Sequence, residues 1–92
     1  MAHHDLKQFT KHFQPIVNCD KRSIVRFDDR GYQIGDTLTL REGQPGVDGF
    51  EFTGRSISAR ISYIDDYGLQ SGYLSLSLSS VGMLVVNDEG MA

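Results

Sequence analysis

Three segments of the chain alternate apolar and polar residues with a period of two. They are 37–41 (TLTLR), 56–63 (SISARISY) and 73–78 (YLSLSL). Because successive side chains of a β-strand point to opposite faces, this pattern predicts half-buried strands with one face on a core. We expect the leucines of 73–78 and the apolar residues of 56–63, including Tyr63, to face inward. The longest regular segments therefore favour a sheet-dominated fold.

The first third of the chain predicts two shorter strands and one helix. Residues 4–7 and the β-branched and aromatic segment 23–27 are typical of strands. Between them, Thr10 is a candidate cap for a helix whose apolar residues have helical spacing. These residues are Phe13, Ile16 and Val17. Pro15 lies inside this segment and lacks a backbone donor, so we expect the helix to be short or bent.

The stretch 43–49 is rich in turn residues and predicts an elongated loop, reaching to Gly54, between two arms of a hairpin. Residues 83–86 could add an edge strand, and we expect the polar end 87–92 to fray. The predicted domain is therefore 1–82, followed by a tail at 83–92. Five or six strands with one or two short helices indicate a small α+β domain, in which so dominant a sheet favours a curled or barrel-like closure.

Composition and charge limit the classes of function. The chain has 92 residues, of which 39% are hydrophobic and 23% charged, as expected for one globular domain. The formal net charge of −3 argues against a polybasic protein that binds nucleic acid by bulk charge. Six of the nine Lys and Arg residues nevertheless lie within residues 1–30. A cationic site is therefore expected in the first third of the chain.

Cys19 is the single cysteine, so no intramolecular disulfide can form. No charged and then apolar leader precedes the domain, and we expect a cytoplasmic protein. The longest apolar run, 83–86, is far shorter than the ~20 residues of a membrane-spanning helix. We therefore predict no membrane segment.

Four short motifs, taken in order, resemble the ASCH-type branch of the PUA-like superfamily, and most closely a small bacterial and phage family of unknown function. The motifs are 4–7 (HDLK), 19–26 (CDKRSIVR), 34–42 (IGDTLTLRE) and 68–76 (GLQSGYLSL). The second is similar to a Gly-x-Lys-x-x-Glu-x-Arg signature. The resemblance implies a PUA-like mixed β-barrel with a ligand cleft between the helix and the barrel. RNA or a modified nucleoside is the implied ligand.

Two residues depart from the signature. Cys19 stands in place of the glycine, so the backbone there either avoids a positive φ or accepts a steric cost, with Asn18 as an alternative left-handed cap. Ile24 stands in place of the acid. Related ASCH domains that hydrolyse acetylated cytidine use a lysine, a threonine and a glutamate. Lys21 matches the lysine, Ile24 occupies the place of the threonine, and no glutamate can be assigned.

The candidate ligand-binding residues are Lys21, Arg26 and Arg30, because a planar guanidinium and a compact ammonium suit phosphate or a base edge. Their alternative role is surface pairing with nearby aspartates, Asp28, Asp29 or Asp36. Tyr67 lies in a turn and is the candidate stacking residue for a nucleobase.

The other two tyrosines, Tyr32 and Tyr73, are expected at the edge of the core. The histidines His3, His4 and His12 lack the spacing of a metal site, and we predict no metal and no cofactor. The leading hypothesis is a non-catalytic module that binds RNA or a modified nucleoside. The alternatives are an amidohydrolase acting on an acylated nucleoside and an accessory protein-interaction domain of a phage or bacterium.

Overall fold

The structure is a computed structural model, and it describes residues 1–84. One short helix and five strands make up this part of the chain. In order they are β1 (His3–Phe9), α1 (Thr10–Val17), β2 (Ser23–Phe27), β3 (Thr37–Gly46), β4 (Gly49–Asp65) and β5 (Tyr73–Leu84). The domain is therefore mostly β with a single eight-residue helix, as the alternating segments predicted.

All five strands form one sheet in the order β1-β3-β4-β5-β2. β1 pairs with β3 in parallel, and the other neighbours pair antiparallel. β1 and β2 stand at the two ends of this order and share no backbone ladder. The sheet is therefore open, and the prediction of a closed barrel is wrong. The physical reason is that the last pairing, between β1 and β2, is not made.

The core lies on one face of the sheet, where α1 packs. Alternate residues of every strand point into it, and Phe13 and Ile16 of α1 complete it with less than 2% of each side chain exposed. The strand members of the core are Leu6, Ile24, Leu38, Leu40, Ile57, Ala59, Ile61, Leu76 and Leu78. The predicted inward direction of the leucines of 73–78 is thus confirmed: Leu76 and Leu78 are buried, and the partly buried Leu74 packs against the core.

The predicted loop at 43–54 is instead a long hairpin. β3 continues to Gly46 and β4 begins at Gly49, so the connection is only residues 47–48. The turn-forming residues of this stretch therefore do not form a loop. Gly54 has a φ of 94° and lies where the β3–β4 register shifts, between the pairs Arg41–Ser56 and Gly43–Phe52. The glycines therefore shape a bulge inside a strand rather than a loop.

This bulge directs Thr53 and Arg55 at a buried carboxylate. Glu42 is only 2% exposed. Arg55 binds it through Nε and Nη2 at 2.7 and 2.8 Å, and the Thr53 hydroxyl donates to it at 2.7 Å. These bonds hold the pKa of Glu42 below its ordinary value. Because Arg55 also donates to Gln14 of α1, the pair fastens the helix to the hairpin.

Tyr63 was predicted to face the core but is 58% exposed. The register between β4 and β5 shifts between Ile61 and Tyr63. Such a shift reverses which residues face inward, so Ile61 is buried, Tyr63 is on the outer face and Ile64 returns toward the core.

β5 passes the predicted domain boundary at residue 82 and ends at Leu84. Met83 and Leu84 therefore belong to β5, where they pair with Ile57 and Ser56, and do not begin a separate edge strand. The rest of the predicted tail, residues 85–92, lies outside the described residues.

Thr10 does not cap α1 as predicted. The residue at the cap position is Phe9, and it makes no side-chain capping bond. Since β1 continues directly into the helix, Thr10 already has helical conformation, and its hydroxyl lies 3.5 Å from the carbonyl oxygen of Gly43.

The C-terminus of α1 shows how the chain accommodates a cysteine where the signature has a glycine. Cys19 adopts a left-handed φ of 63°, whereas Asn18 stays right-handed at −79°. The amide of Cys19 donates to Ile16 at 3.1 Å and that of Asp20 donates to Pro15 at 2.9 Å. This is the bond pattern of a Schellman cap, in which glycine is usual at the left-handed position. Cys19 therefore accepts the steric cost itself.

Replacing Cys19 with glycine should stabilise the domain. The left-handed conformation costs a residue with a Cβ roughly 1–2 kcal/mol. About half of the gain from removing the Cβ is offset, because glycine loses more backbone entropy on folding. We expect Cys19→Gly to raise the free energy of unfolding by about 0.5–1 kcal/mol, measured by urea denaturation under reducing conditions. Cys19→Ala keeps the Cβ and should leave stability unchanged. Equal stabilisation by both variants would show that the thiol, not the backbone, is responsible.

Candidate functional site

The two edge strands of the sheet, β1 and β2, face each other across an opening that we call the seam. Arg26 of β2 spans it. Its Nη2 donates to the backbone carbonyl of Lys7 in β1 and to Oε1 of Gln8 at 2.8 Å. One guanidinium thus links two strands that no backbone ladder joins.

Two cavities of about 340 and 320 Å³ lie along the seam. Lys7, Arg26 and Phe27 line both of them, so the cavities are adjacent. Lys21 lines the first cavity, and Arg30 lines the second. The structure therefore brings three of the predicted ligand-binding residues, Lys21, Arg26 and Arg30, to one continuous opening.

The first cavity is cationic. Lys7, Lys21 and Arg26 line it together with His12, and none of the carboxylates of residues 1–84 is part of its lining. Its apolar walls include Phe9, Ile24 and Phe27. A cavity with cations, aromatic rings and no acid is suited to an anion that carries a flat apolar group.

Arg26 contributes its full charge to this cavity. Burial lowers the pKa of its guanidinium, but an arginine stays protonated in proteins. Its hydrogen-bond acceptors are a carbonyl and an amide oxygen, and within residues 1–84 it forms no ion pair with a carboxylate. The predicted alternative, surface pairing with an aspartate, therefore does not describe Arg26 in this part of the chain.

The second cavity is less cationic, because Asp5 and Asp29 also line it. Arg30 lies 3.8 Å from the Asp29 carboxylate, and both side chains are largely exposed. For Arg30 the alternative of surface pairing therefore describes the geometry. We place the centre of the candidate site in the first cavity.

The turn that follows α1 positions Lys21. Its amide donates to the Pro15 carbonyl at 3.1 Å, which continues the hydrogen bonds of the left-handed cap at Cys19. The chain then enters β2 at Ser23, where Ile24 is buried and Arg26 lies on the same side two residues later. The same motif, 19–26, thus supplies two of the three Lys and Arg side chains that line the first cavity.

The tyrosines divide between the core and the surface. Tyr67 is 92% exposed and lines neither seam cavity, so its stacking role stays a prediction. Tyr32 is buried at the edge of the core, as predicted, with its ring edge-on to His4 at 4.9 Å. Tyr73 packs edge-on against Phe27 with a centroid distance of 5.4 Å.

Sequence reasoning missed Lys7, Phe9 and Phe27 as site residues. The alternation of β1 does place Lys7 and Phe9 on its exposed side. Their closeness to Arg26, however, depends on the meeting of two edge strands that are separated in sequence and joined by no backbone ladder. No local pattern reports such a contact.

A buried carboxylate fixes the start of β1 and therefore one wall of the seam. Asp36 accepts hydrogen bonds from the Ala2 amide at 2.9 Å, from His4 Nε2 at 2.9 Å and from the Gln33 amide at 3.0 Å. These donors, the Ala2 amide first, lower the pKa of Asp36 to about 2.

This pKa gives the fold an acid-sensitive anchor. As the pH falls, the unfolded chain protonates Asp36 before the folded chain does. The stabilisation that the Asp36 carboxylate gives the folded state is therefore complete above about pH 4 and is lost as the pH falls toward 2. Between these values, the slope of unfolding free energy against pH should be steeper for the unmodified chain than for Asp36→Asn, by nearly one proton. Urea denaturation from pH 5 to pH 2.5 measures this difference.

Asp48→Asn is the matched control, since Asp48 lies in the exposed turn of the β3–β4 hairpin. It should keep the steep slope of the unmodified chain. A slope that is unchanged in Asp36→Asn would show that Asp36 is not the anchor.

The fold and the site together define a small, mostly β domain with an open five-stranded sheet and a cationic seam. The family described as Domain of unknown function (DUF3850) matches residues 3–78. The chain belongs to this family. The resemblance to a phage and bacterial family of unknown function is therefore confirmed at that level.

A phage protein is among its relatives. The protein described as an uncharacterized 12.9 kDa protein in the GpA 3′ region of Escherichia phage P2 is 41% identical over 63 residues. The match covers 68% of this chain and 54% of that relative, so the chain spans about half the relative's length. Within residues 1–84, no helix has the length and apolar character needed to cross a membrane.

Proposed function

We propose that the domain binds single-stranded RNA or a modified nucleoside at the seam, without catalysis. The observation that supports this most is the first cavity, where Lys7, Lys21 and Arg26 converge and, among residues 1–84, no carboxylate lies in the lining. Phosphate oxygens suit these cations, because the lysines offer compact charges and Arg26 keeps its Nε and Nη1 donors beside the two bonds that its Nη2 makes to β1.

Phe27 is the aromatic group in the best position to stack on a base. It is 54% exposed, lines both cavities, and is held from one side by Tyr73. An exposed ring beside cations is the usual combination in proteins that bind single-stranded nucleic acid. In this proposal Phe27 takes the role that the sequence assigned to Tyr67.

The charge of the chain favours a short, single-stranded ligand. Three cations neutralise few phosphates, and the net charge of −3 opposes long duplexes. If all three cations contact phosphates, the logarithm of the affinity should fall with the logarithm of salt concentration with a slope of about −2.

The ASCH-type resemblance is part of this proposal, and so is the cytoplasmic location. The resemblance is supported by motif 19–26, whose Lys21 and Arg26 both line the cavity beside α1. The open sheet differs from the barrel that the resemblance implied.

The amidohydrolase alternative requires an acid near Lys21. In the part of the chain that the structure describes, the lining of the cavity contains none, and Ile24 occupies the place where the resemblance puts a threonine. Binding without turnover is therefore the better-supported proposal.

Lys21→Gln tests the site. We expect it to weaken the binding of a labelled single-stranded RNA octamer by about three- to tenfold and to reduce the salt slope by about 0.7, because one phosphate contact is lost. Fluorescence anisotropy at several salt concentrations measures both quantities.

Arg60→Gln is the matched control. It removes the same charge from an exposed position of β4 that lines neither seam cavity. Its binding should be close to that of the unmodified chain. Equal losses in the two variants would indicate binding by overall charge alone, and deacetylation of acetylcytidine would favour the enzyme instead.

A protein-interaction role has one observation in its favour. Within residues 1–84, the β2–β5 ladder reaches no farther than Ser77, and Val81, Met83 and Leu84 farther along β5 are each more than a third exposed. An open strand edge with apolar neighbours is a common docking surface. If RNA, duplex DNA and acetylcytidine all fail to bind, this is the remaining candidate.

A further inference from the structure

A third cavity of about 300 Å³ continues the line of the two seam cavities. Phe9 lines both the first and the third cavity, and Lys11, Gln44 and Pro45 complete the far end. Each of the three cavities is lined by at least one cation. In order along the cavities, these are Arg30, Arg26, Lys7 and Lys11. The site is therefore elongated.

Phe9 also begins a row of aromatic rings on the outer face of the hairpin. Its ring lies 5.8 Å from that of Phe50, and Phe50 lies 5.1 Å from Phe52, measured between centroids. Phe9 and Phe52 are 48% and 42% exposed. Phe50 between them is half-buried. A contiguous row of accessible aromatic rings on a small domain is typical of a binding surface.

Two cations lie on this row. Lys7 Nζ is 5.5 Å from the centre of the Phe50 ring, and the Arg41 guanidinium is 3.9 Å from that of Phe52. Lys7 and Arg41 are direct neighbours on β1 and β3. The surface is thus aromatic and positive together, which complements a polyanion with flat bases.

Gly43 makes the row continuous. It is the residue of β3 directly opposite Phe9, and a Cβ at this position would overlap the Phe50 ring. With a glycine there, the ring of Phe50 lies across β3 and reaches Phe9. Two nearby acids do not share this surface, because Glu51 alternates with Phe50 and Phe52 along β4, and Glu42 is bound to Arg55. Asp5 does lie on the outer side of β1, two residues before Lys7, and lines the second seam cavity.

We propose that the ligand of the seam is an oligonucleotide of about three or more nucleotides, not a free nucleoside, and that it continues past Phe9 onto Phe50 and Phe52. This inference rests on the proposed function and specifies its substrate class. One nucleotide occupies the first seam cavity, and the following bases stack on the aromatic row, with Lys7 and Arg41 close to their phosphates.

The test is a length series of oligoadenylates of one, two, four and six nucleotides, followed by calorimetry or NMR titration. For the unmodified chain, affinity should rise from two to six nucleotides. Phe52→Ala should lower the affinity for the hexanucleotide about fivefold or more and leave that for the dinucleotide unchanged, since only the longer ligand reaches Phe52.

Tyr63→Ala is the matched control, because Tyr63 is an exposed aromatic residue of the same strand that lines none of the three cavities. It should bind every length normally. Phe52→Leu keeps an apolar side chain but not the ring, so it should lose the same length-dependent gain even if the alanine variant is poorly folded.

The outcomes separate this inference from the proposed function. Equal affinity for two and six nucleotides, or an unchanged hexanucleotide affinity in Phe52→Leu, overturns the extended surface while Lys21→Gln still weakens binding of the shortest ligands. Failure of every length to bind overturns the proposed function, and the extended surface with it.

Discussion

The seam depends on one interaction, the bridge from Arg26 to the backbone of β1. A backbone ladder between β1 and β2 would close the sheet and bring the strands to about 4.8 Å from each other. The guanidinium instead reaches the Lys7 carbonyl and Gln8 from a longer side chain. This arrangement connects the two edges while leaving cavities beside them.

Two buried carboxylates hold the walls of this opening. Asp36 fastens the start of β1 through Ala2 and His4. Glu42 binds Arg55, which in turn reaches α1 through Gln14. Both acids are almost completely buried, and each accepts three or more hydrogen bonds, which offsets the cost of removing a charge from water. Lys7 lies in β1 and Lys21 lies in the turn after α1, so the two carboxylates hold the elements that carry these lysines.

The sequence predicted local structure well where alternation was uninterrupted. Leu38, Leu40, Leu76 and Leu78 are buried because their strands keep a constant phase. The errors lie at the bulges, since an irregular register changes which residues point inward, as Tyr63 shows. Turn-forming residues such as Gly54 were equally ambiguous, because a bulge and a loop require the same left-handed backbone.

The candidate site was predicted only in part, because the sequence indicates local placement better than contacts between distant strands. Lys21 and Arg26 belong to one short motif, so their closeness follows from the local chain. Lys7 and Phe9 come from a different strand, and their position opposite Arg26 depends on the order of the whole sheet. Closure of the sheet is likewise a long-range property. Five strands can curl into a barrel or stop short of it, and the alternation is the same in both cases.

The open seam is tested most directly by nuclear Overhauser contacts in the isotopically labelled full chain. We expect backbone contacts between β1 and β3 and between β2 and β5, contacts from the Arg26 guanidinium protons to the Gln8 side chain, and no backbone contacts between β1 and β2. A regular series of amide and α-proton contacts joining β1 to β2 would show a closed sheet and contradict the seam.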